Sequence, residues 1–177
     1  MNNPDYGLQH GDNGMQKNVS TAGTVFLAGV AGGTVEVAWV ALYCLMSPLQ
    51  SSLVAEEITR SFLPQYAGVS ALAIGLIMHY ALAVLVAGIV AVILLRSLGD
   101  RVDMFSVLAL SAAALAAIWT INFFVILPVV NAEFVTLMPY AVTLASKLGF
   151  GVAMGWVFGI RDAASTGHEV HWRFALR

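Results

Sequence analysis

Charged residues are scarce in this chain, and their scarcity limits the kinds of protein it can be. Of 177 residues, 8 are Lys or Arg and 10 are Asp or Glu, so only 10% are charged, whereas 59% are hydrophobic. Soluble domains usually carry about 25% charged residues. A chain this poor in charge cannot cover a water-facing surface, so much of it must face an apolar environment.

Cysteine is nearly absent as well. Cys44 is the single cysteine of the sequence, which excludes an internal disulfide and a zinc site built from paired cysteines. A net charge of -2 gives no basic surface for nucleic acid. The sequence also lacks the G-x-S-x-G, H-E-x-x-H and glycine-rich phosphate-binding motifs. We therefore favour a non-catalytic protein, although intramembrane chemistry can be built from few residues.

Long apolar stretches occupy most of the chain, over residues 23–46, 67–95, 104–128 and 139–160. Each has the roughly 20 residues that a helix needs to cross about 30 Å of hydrocarbon. Helices are expected because every backbone polar group inside a bilayer must be satisfied within its segment. The predicted fold is an all-α membrane protein, a four-helix transmembrane bundle over residues 21–160. Residues 1–20 are expected to be a disordered polar tail and residues 161–177 a C-terminal tail.

Basic residues in the connections set the predicted orientation, because Lys and Arg accumulate on the cytoplasmic side. Only Arg60 lies between the first and second spans. The residues expected on the other side are Lys17, Arg96, Arg101, Arg161, Arg173 and Arg177. Both termini are therefore predicted to be cytoplasmic. The small size of the chain and its four predicted spans suggest a bacterial plasma (inner) membrane.

The connection between the first and second spans has a helical pattern of its own. Leu53, Val54, Ile58 and Phe62 recur at near-helical spacing, and Glu56 precedes Arg60 by four residues, a favourable order for an ion pair. The pattern predicts a short amphipathic helix that lies on the outer face of the membrane.

Ionisable residues inside the apolar stretches are costly, by about 2.5–3.5 kcal/mol for a charge at the centre of a helix. Three are present, Glu36, His79 and Lys147. At a rise of about 1.5 Å per residue they lie roughly 12–18 Å from the outer ends of their spans. They are therefore expected to form one polar layer together with Asn122. Two hypotheses follow: a structural ion pair between Glu36 and Lys147, or a cluster that binds or relays something.

Small residues at helical spacing predict where neighbouring helices approach closely. Ala71, Gly75, His79, Ala83 and Ala87 form one such face in the second span. The helix-packing glycines predicted are Gly29, Gly33, Gly75, Gly151, Gly155 and Gly159. In the third span the inward side is expected to carry Ala109, Ala113, Ala116, Thr120 and Asn122.

No cofactor and no metal are predicted, although three were considered. A quinone pocket could be lined near His79 by Trp39, Tyr43, Trp119 and Thr143. A copper(I) site could be made from the soft ligands Cys44, Met46 and Met138. A haem could use His79 with Met78 or Met154, because the other histidines are in the tails.

The lack of a large water-exposed domain, together with the glycine faces, leads to one functional hypothesis. The chain is expected to be an accessory or assembly subunit of a larger membrane complex, with the lipid bilayer and other membrane subunits, or further copies of itself, as partners. The first alternative is an oligomeric proton-coupled transporter or channel whose pathway is lined by Glu36, His79 and Lys147. The second is a quinone- or haem-binding redox component.

Overall fold

The chain is built from helices throughout the part that the structure describes. A computed structural model describes residues 9–98 and 103–166, and the side chains of residues 21–98 and 103–161. The long helices are α1 (Gln9–Leu45), α3 (Gly68–Leu98), α4 (Met104–Ile121) and α7 (Tyr140–Thr166). The short ones are α2 (Ser51–Phe62), α5 (Leu127–Val130) and α6 (Ala132–Leu137), and a π-helical turn, Asn122–Ile126, joins α4 to α5.

Within the described residues, four helical segments are long and apolar enough to cross a membrane, which agrees with the predicted number of candidate spans. They are Thr21–Leu45, Gly68–Leu98, Met104–Val130 and Tyr140–Arg161. Large apolar side chains, among them Ile77, Leu85, Phe105 and Val125, are exposed on the outside of the bundle, where lipid would cover them.

Helix α1 starts earlier than expected. It begins at Gln9, so the backbone of residues 9–20 continues the first span where the sequence predicts a disordered tail. Adding a residue to an existing helix costs far less than starting a new helix, and composition alone does not take this into account. Residues 1–8 and 167–177 of the two predicted tails lie outside the described residues.

The long helices pack side by side in the order α3, α1, α7 and α4, whereas α3 and α4 have little contact with each other. Glycines set the close approaches. A Cβ on Gly29 would lie 2.6 Å from the Cα of Val84 in α3, and one on Gly151 would lie 2.7 Å from the Cα of Ala112 in α4. The glycine faces predicted on α1 and α7 are thus buried in contacts within the chain.

The inward side predicted for α4 was wrong. Its buried residues are Met104, Val107, Ser111, Leu115 and Trp119, whereas Ala109, Ala113 and Thr120 are exposed and Ala116 is half-buried. The reason is complementarity of size. Gly155 and Gly159 of α7 leave room for the side chains of Ser111 and Met104 on α4, so this side of α4 faces α7 and the small face of α4 is turned outwards.

The two ends of the bundle are packed differently. At the end that contains Leu94 of α3 and Val107 of α4, apolar side chains from all four long helices form one buried cluster. At the other end, hereafter the α2 end, the short helices α2 and α6 occupy the space beside α3 and α4. The cavity described below lies between the buried cluster and α2.

Helix α2 packs along the first turns of α3. The Thr59 hydroxyl donates to the carbonyl of Ala71 at 2.5 Å, and the carbonyl of Ala55 lies directly over Gly75. Arg60 forms its ion pair with Glu57, at 2.7 Å, and not with Glu56 as the spacing suggested. Spacings of three and of four residues both bring side chains together on a helix, and here the buried Glu57, three residues before Arg60, is the partner.

Pro128 accounts for the π-helical turn. Proline has no N–H and its ring clashes with the carbonyl four residues earlier, here that of Phe124. The widened turn avoids a regular α-helical register at this point, and the N–H of Leu127 bonds instead to the carbonyl of Asn122. Such turns occur frequently at functional sites. This one begins at a residue of the predicted polar cluster.

Candidate functional site

Glu36 and Lys147 form an ion pair between α1 and α7. Lys147 Nζ lies 2.5 Å from Glu36 Oε1, and the side chains are 21% and 12% exposed, respectively. The two residues meet because α1 and α7 have the most extensive contact in the bundle. Pairing offsets part of the cost of placing each charge in an apolar span. The ammonium also lies over the ring of Phe150, 5.9 Å from its centroid.

His79 extends this pair towards α3. Its Nε2 lies 3.3 Å from the carbonyl oxygen of Gly33, which it reaches because Gly33 has no side chain to separate α1 from α3. In the tautomer that donates this bond, the other ring nitrogen is a free acceptor. Tyr80, the next residue, bonds to Thr34 at 3.1 Å. The imidazole is therefore held at the α1–α3 contact.

A cavity of about 450 Å³ lies beside these groups. Each long helix contributes one of the four predicted cluster residues to its lining: Glu36 from α1, His79 from α3, Asn122 from the end of α4 and Lys147 from α7. The rest of the wall is mainly apolar, with side chains such as Val40, Ile58, Leu72, Ile118 and Phe123. The cavity exists because α3 and α4 have little contact at the α2 end, where α2 does not fill the gap completely.

Several polar groups in this lining have unused hydrogen-bonding capacity. Glu36 Oε2 is buried and has no partner among the described residues. Lys147 has three N–H donors, and within the described part of the chain its polar partner is Glu36 alone. The structure gives the side-chain amide of Asn122 no hydrogen bond to another described residue. Buried polar groups are normally satisfied, so the unpartnered Glu36 oxygen needs an explanation. Ser111 Oγ, which is outside this lining, is the other buried side-chain atom left without a partner among the described residues.

Of the four residues predicted to line a pocket, only Thr143 lines this cavity. Trp39 is 42% exposed and its indole donates to the carbonyl of Val142 at 3.1 Å, which ties α1 to α7 from outside. Trp119 donates to the Thr143 hydroxyl at 3.0 Å and stacks on Phe123. Tyr43 packs beside Cys44. The three aromatic residues outside the lining thus support the walls or neighbouring contacts.

The proposed copper ligands are only partly brought together. Cys44 and Met138 share one buried cluster with Val54, whereas Met46 is 83% exposed. Two soft ligands remain, without the third on which the site depended. Among the described residues, no group of three or more His, Cys, Asp or Glu side chains is placed to hold a metal.

One polar contact was missed by the sequence reasoning. Asn131 donates to Glu57 Oε2 at 3.2 Å and to the Ser61 hydroxyl at 3.0 Å, and its own side-chain oxygen accepts the N–H of Phe134 at 3.1 Å. It therefore starts α6 and fastens it to α2. Asn is a favoured residue at the start of a helix, and this was the available signal, but its partners could not be read from spacing.

Comparisons with protein-family models, with curated proteins and with solved structures find no match for this chain. The functional interpretation therefore depends on the cavity and its polar residues.

Proposed function

We propose that this chain is a membrane-embedded binding protein, and that its cavity holds a lipid-soluble small molecule. The observation that carries the proposal is the convergence of one polar residue from each long helix on a single, mainly apolar cavity. Small-molecule sites typically have volumes of about 300–1,000 Å³, hydrophobic walls and a few placed polar groups. A volume of about 450 Å³ falls within that range.

The ion pair alone does not account for this arrangement. A pair that only locked α1 against α7 would need Glu36 and Lys147 in contact and nothing more. Here His79 and Asn122, from two other helices, line the same space, and the Asn122 amide is given no partner among the described residues. Glu36 Oε2 is buried without a partner among the described residues, and an unsatisfied buried polar group costs about 1–3 kcal/mol. A bound molecule with a polar end would offset that cost.

Access from the bilayer is consistent with a lipid-soluble molecule. Leu76 and Leu82 line the cavity, and their side chains are 40% and 45% exposed. Both belong to α3, next to the side where α3 and α4 have little contact. A molecule dissolved in the hydrocarbon region could enter there without crossing a water-facing surface.

The accessory-subunit hypothesis stays a prediction, but one of the two observations that led to it, the glycine faces, no longer supports it. Gly29 and Gly151, which suggested close packing with a partner, pack instead against Val84 and Ala112 of this same chain. Copurification of a partner from mild detergent would restore the hypothesis. The transporter alternative requires the buried cluster around Val90 and Met154 to open, because this cluster closes the bundle on the side of the cavity away from α2.

The proposed setting is a bacterial plasma membrane, with both termini in the cytoplasm. The distribution of basic residues supports this orientation, because Arg60 is the only one expected on the outer side. Arg60 is also paired with Glu57, which reduces its net influence on that side. The α2 end, with the cavity, then belongs to the outer half of the membrane, and α2 is the amphipathic outer helix of the prediction.

Photolabelling with a small apolar aryl diazirine tests the binding proposal. In liposomes the probe should label lining residues such as Ile58 and Ile118 in a saturable manner, because an excess of its unlabelled analogue competes for one site. Lipid-facing residues such as Val125, which is 61% exposed, should be labelled without saturation.

Two matched substitutions on the same helix provide the control. Ile118→Trp fills the cavity, since Ile118 is in its lining, and should reduce labelling of Ile58 by at least about fivefold. Ile121→Trp makes the same chemical change on an exposed face and should leave that labelling unchanged. Labelling of the lining that does not saturate, or that survives Ile118→Trp, would overturn the proposal.

A further inference from the structure

The polar end of the cavity also indicates which head group fits there; this inference rests on the proposed binding function. We infer that the bound molecule has an uncharged head group that both donates and accepts hydrogen bonds. Long-chain alcohols, primary amides, hydroquinones and protonated fatty acids belong to this chemical class. Phospholipids and other molecules with fixed charges do not.

The charge balance of the site supports an uncharged head. Glu36 and Lys147 neutralise each other at 2.5 Å, so this pair has no net charge for a charged head group to compensate. An added carboxylate or sulfonate would place a second negative charge near Glu36. An added ammonium would place a second positive charge near Lys147. Either would be an uncompensated charge in a poorly solvated place, which is strongly unfavourable.

The unused hydrogen-bonding groups support a head that both donates and accepts. Lys147 retains N–H donors beyond the one directed at Glu36, so a carbonyl or hydroxyl oxygen can accept from it. Glu36 Oε2 is an acceptor without a partner among the described residues, so an O–H or N–H can donate to it after a small rotation of the carboxylate. The Asn122 amide can do either.

The apolar walls of the cavity indicate that the rest of the bound molecule is apolar. The cavity lining continues from the polar residues to Val40, Ile58 and Leu72 on α1, α2 and α3, none of which offers a side-chain hydrogen bond. A chain or ring system attached to the head would occupy this part, and its burial supplies about 25 cal/mol for each Å² of apolar surface removed from water. The head group then provides selectivity more than affinity.

Competition among amphiphiles that share one dodecyl chain tests the inference. Dodecanamide donates and accepts, dodecyl methyl ether only accepts, dodecyltrimethylammonium is a cation and dodecanesulfonate is an anion. Each is added to nanodiscs at the same mole fraction in the bilayer, and the loss of aryl-diazirine labelling at Ile58 is measured. Dodecanamide should suppress labelling at a mole fraction about tenfold lower than the ether does, since one hydrogen bond is worth up to a factor of about ten. The two charged competitors should need still more.

Asn122→Leu and the double variant Glu36→Leu/Lys147→Met remove the polar groups without adding a charge. Each should reduce the preference for dodecanamide over the ether, and an unchanged unfolding midpoint in bicelles reports that the protein is folded. A charged competitor that equals dodecanamide, or a preference that persists in both variants, would overturn the head-group inference while leaving cavity binding intact. Failure of every competitor, with labelling that does not saturate, would instead refute the proposed binding function.

Discussion

Glu36 and Lys147 are each more costly to bury alone than as a pair. Each lies within an apolar span, and each has the other as its oppositely charged partner at 2.5 Å. Truncating one member of a buried pair leaves the other charge uncompensated, whereas replacing both by apolar residues is often neutral or stabilising. The coupling between these two residues is therefore measurable, whatever the cavity binds.

Lys147→Met alone is expected to lower the free energy of unfolding by about 3–5 kcal/mol, because the Glu36 carboxylate stays buried without a counter-ion. The double variant Glu36→Leu/Lys147→Met should recover most of that loss. Reversible unfolding in bicelles, followed by tryptophan fluorescence, provides both values. If the double variant loses the sum of the losses of Lys147→Met and Glu36→Leu, each measured alone, the two residues are not coupled.

At the scale of single residues, much of the site could be chosen from the sequence. Glu36, His79 and Lys147 stand out because ionisable residues are rare in apolar spans, and their depths follow from the helical rise. Which of them touch could not be derived, since that depends on α1 packing against α7. The unpaired Asn122 amide and the Asn131–Glu57 contact depend on a π-helical turn and a short helix that spacing does not predict.

Helix α2 depends on one glycine for its place beside α3. A Cβ on Gly75 would lie 2.0 Å from the carbonyl oxygen of Ala55, and that oxygen belongs to the backbone, so it cannot simply rotate away. The whole of α2 would have to move outwards. Gly88, on the same helix, offers a matched comparison, because a Cβ there would meet nothing closer than Val25 at 3.8 Å.

Gly75→Ala is therefore expected to cost about 1–3 kcal/mol, as is typical when extra atoms are forced into a packed contact, whereas Gly88→Ala should cost nothing measurable. Hydrogen exchange of the α2 amides should increase in the first variant and stay unchanged in the second. Similar exchange of α2 in both variants would mean that α2 does not rest on Gly75.

The start of α4 should respond to acid. Asp103 accepts the N–H of Ser106 at 2.9 Å, and hydrogen bonding by Ser106, from its side chain and its backbone, lowers the pKa of Asp103 below the ordinary value of about 3.9. Because the pKa is lower in the folded state, this stabilisation is fully present above the ordinary pKa and is lost as the pH falls through the folded value.

Asp103→Ser keeps a good helix cap but removes the titrating group. Between pH 6 and pH 3 the original chain should therefore lose more thermal stability than Asp103→Ser does. The difference should stay under about 1 kcal/mol, because Asp103 is exposed and solvent screens its interactions. Parallel pH profiles for the two proteins would contradict this role for Asp103.

For the molecule as a whole, the number of spans could be predicted from the sequence, but the order in which they pack could not. Apolar length indicates each span independently, whereas the order α3, α1, α7 and α4 depends on which glycine meets which backbone, such as Gly29 with Val84 and Gly151 with Ala112. The cavity follows from that order, because it leaves α3 and α4 with little contact. For the same reason the inward face of α4 was assigned wrongly.

The proposed orientation can be tested with two cysteines at opposite ends of α3. Both new cysteines are introduced into a Cys44→Ala background, since Cys44 is the one native thiol. Gln65 and Ser97 are both exposed, so neither substitution disturbs the core. Arg96 and Arg101 flank the second site, and positive charge is retained on the cytoplasmic side. A membrane-impermeant maleimide added to intact bacterial cells should therefore modify Gln65→Cys at once and Ser97→Cys only after the membrane is opened. The reverse order of reactivity would show that the orientation is opposite to the proposed one. The cavity would then lie in the inner half of the bilayer, and a molecule with the same head group would have to come from the cytoplasmic leaflet.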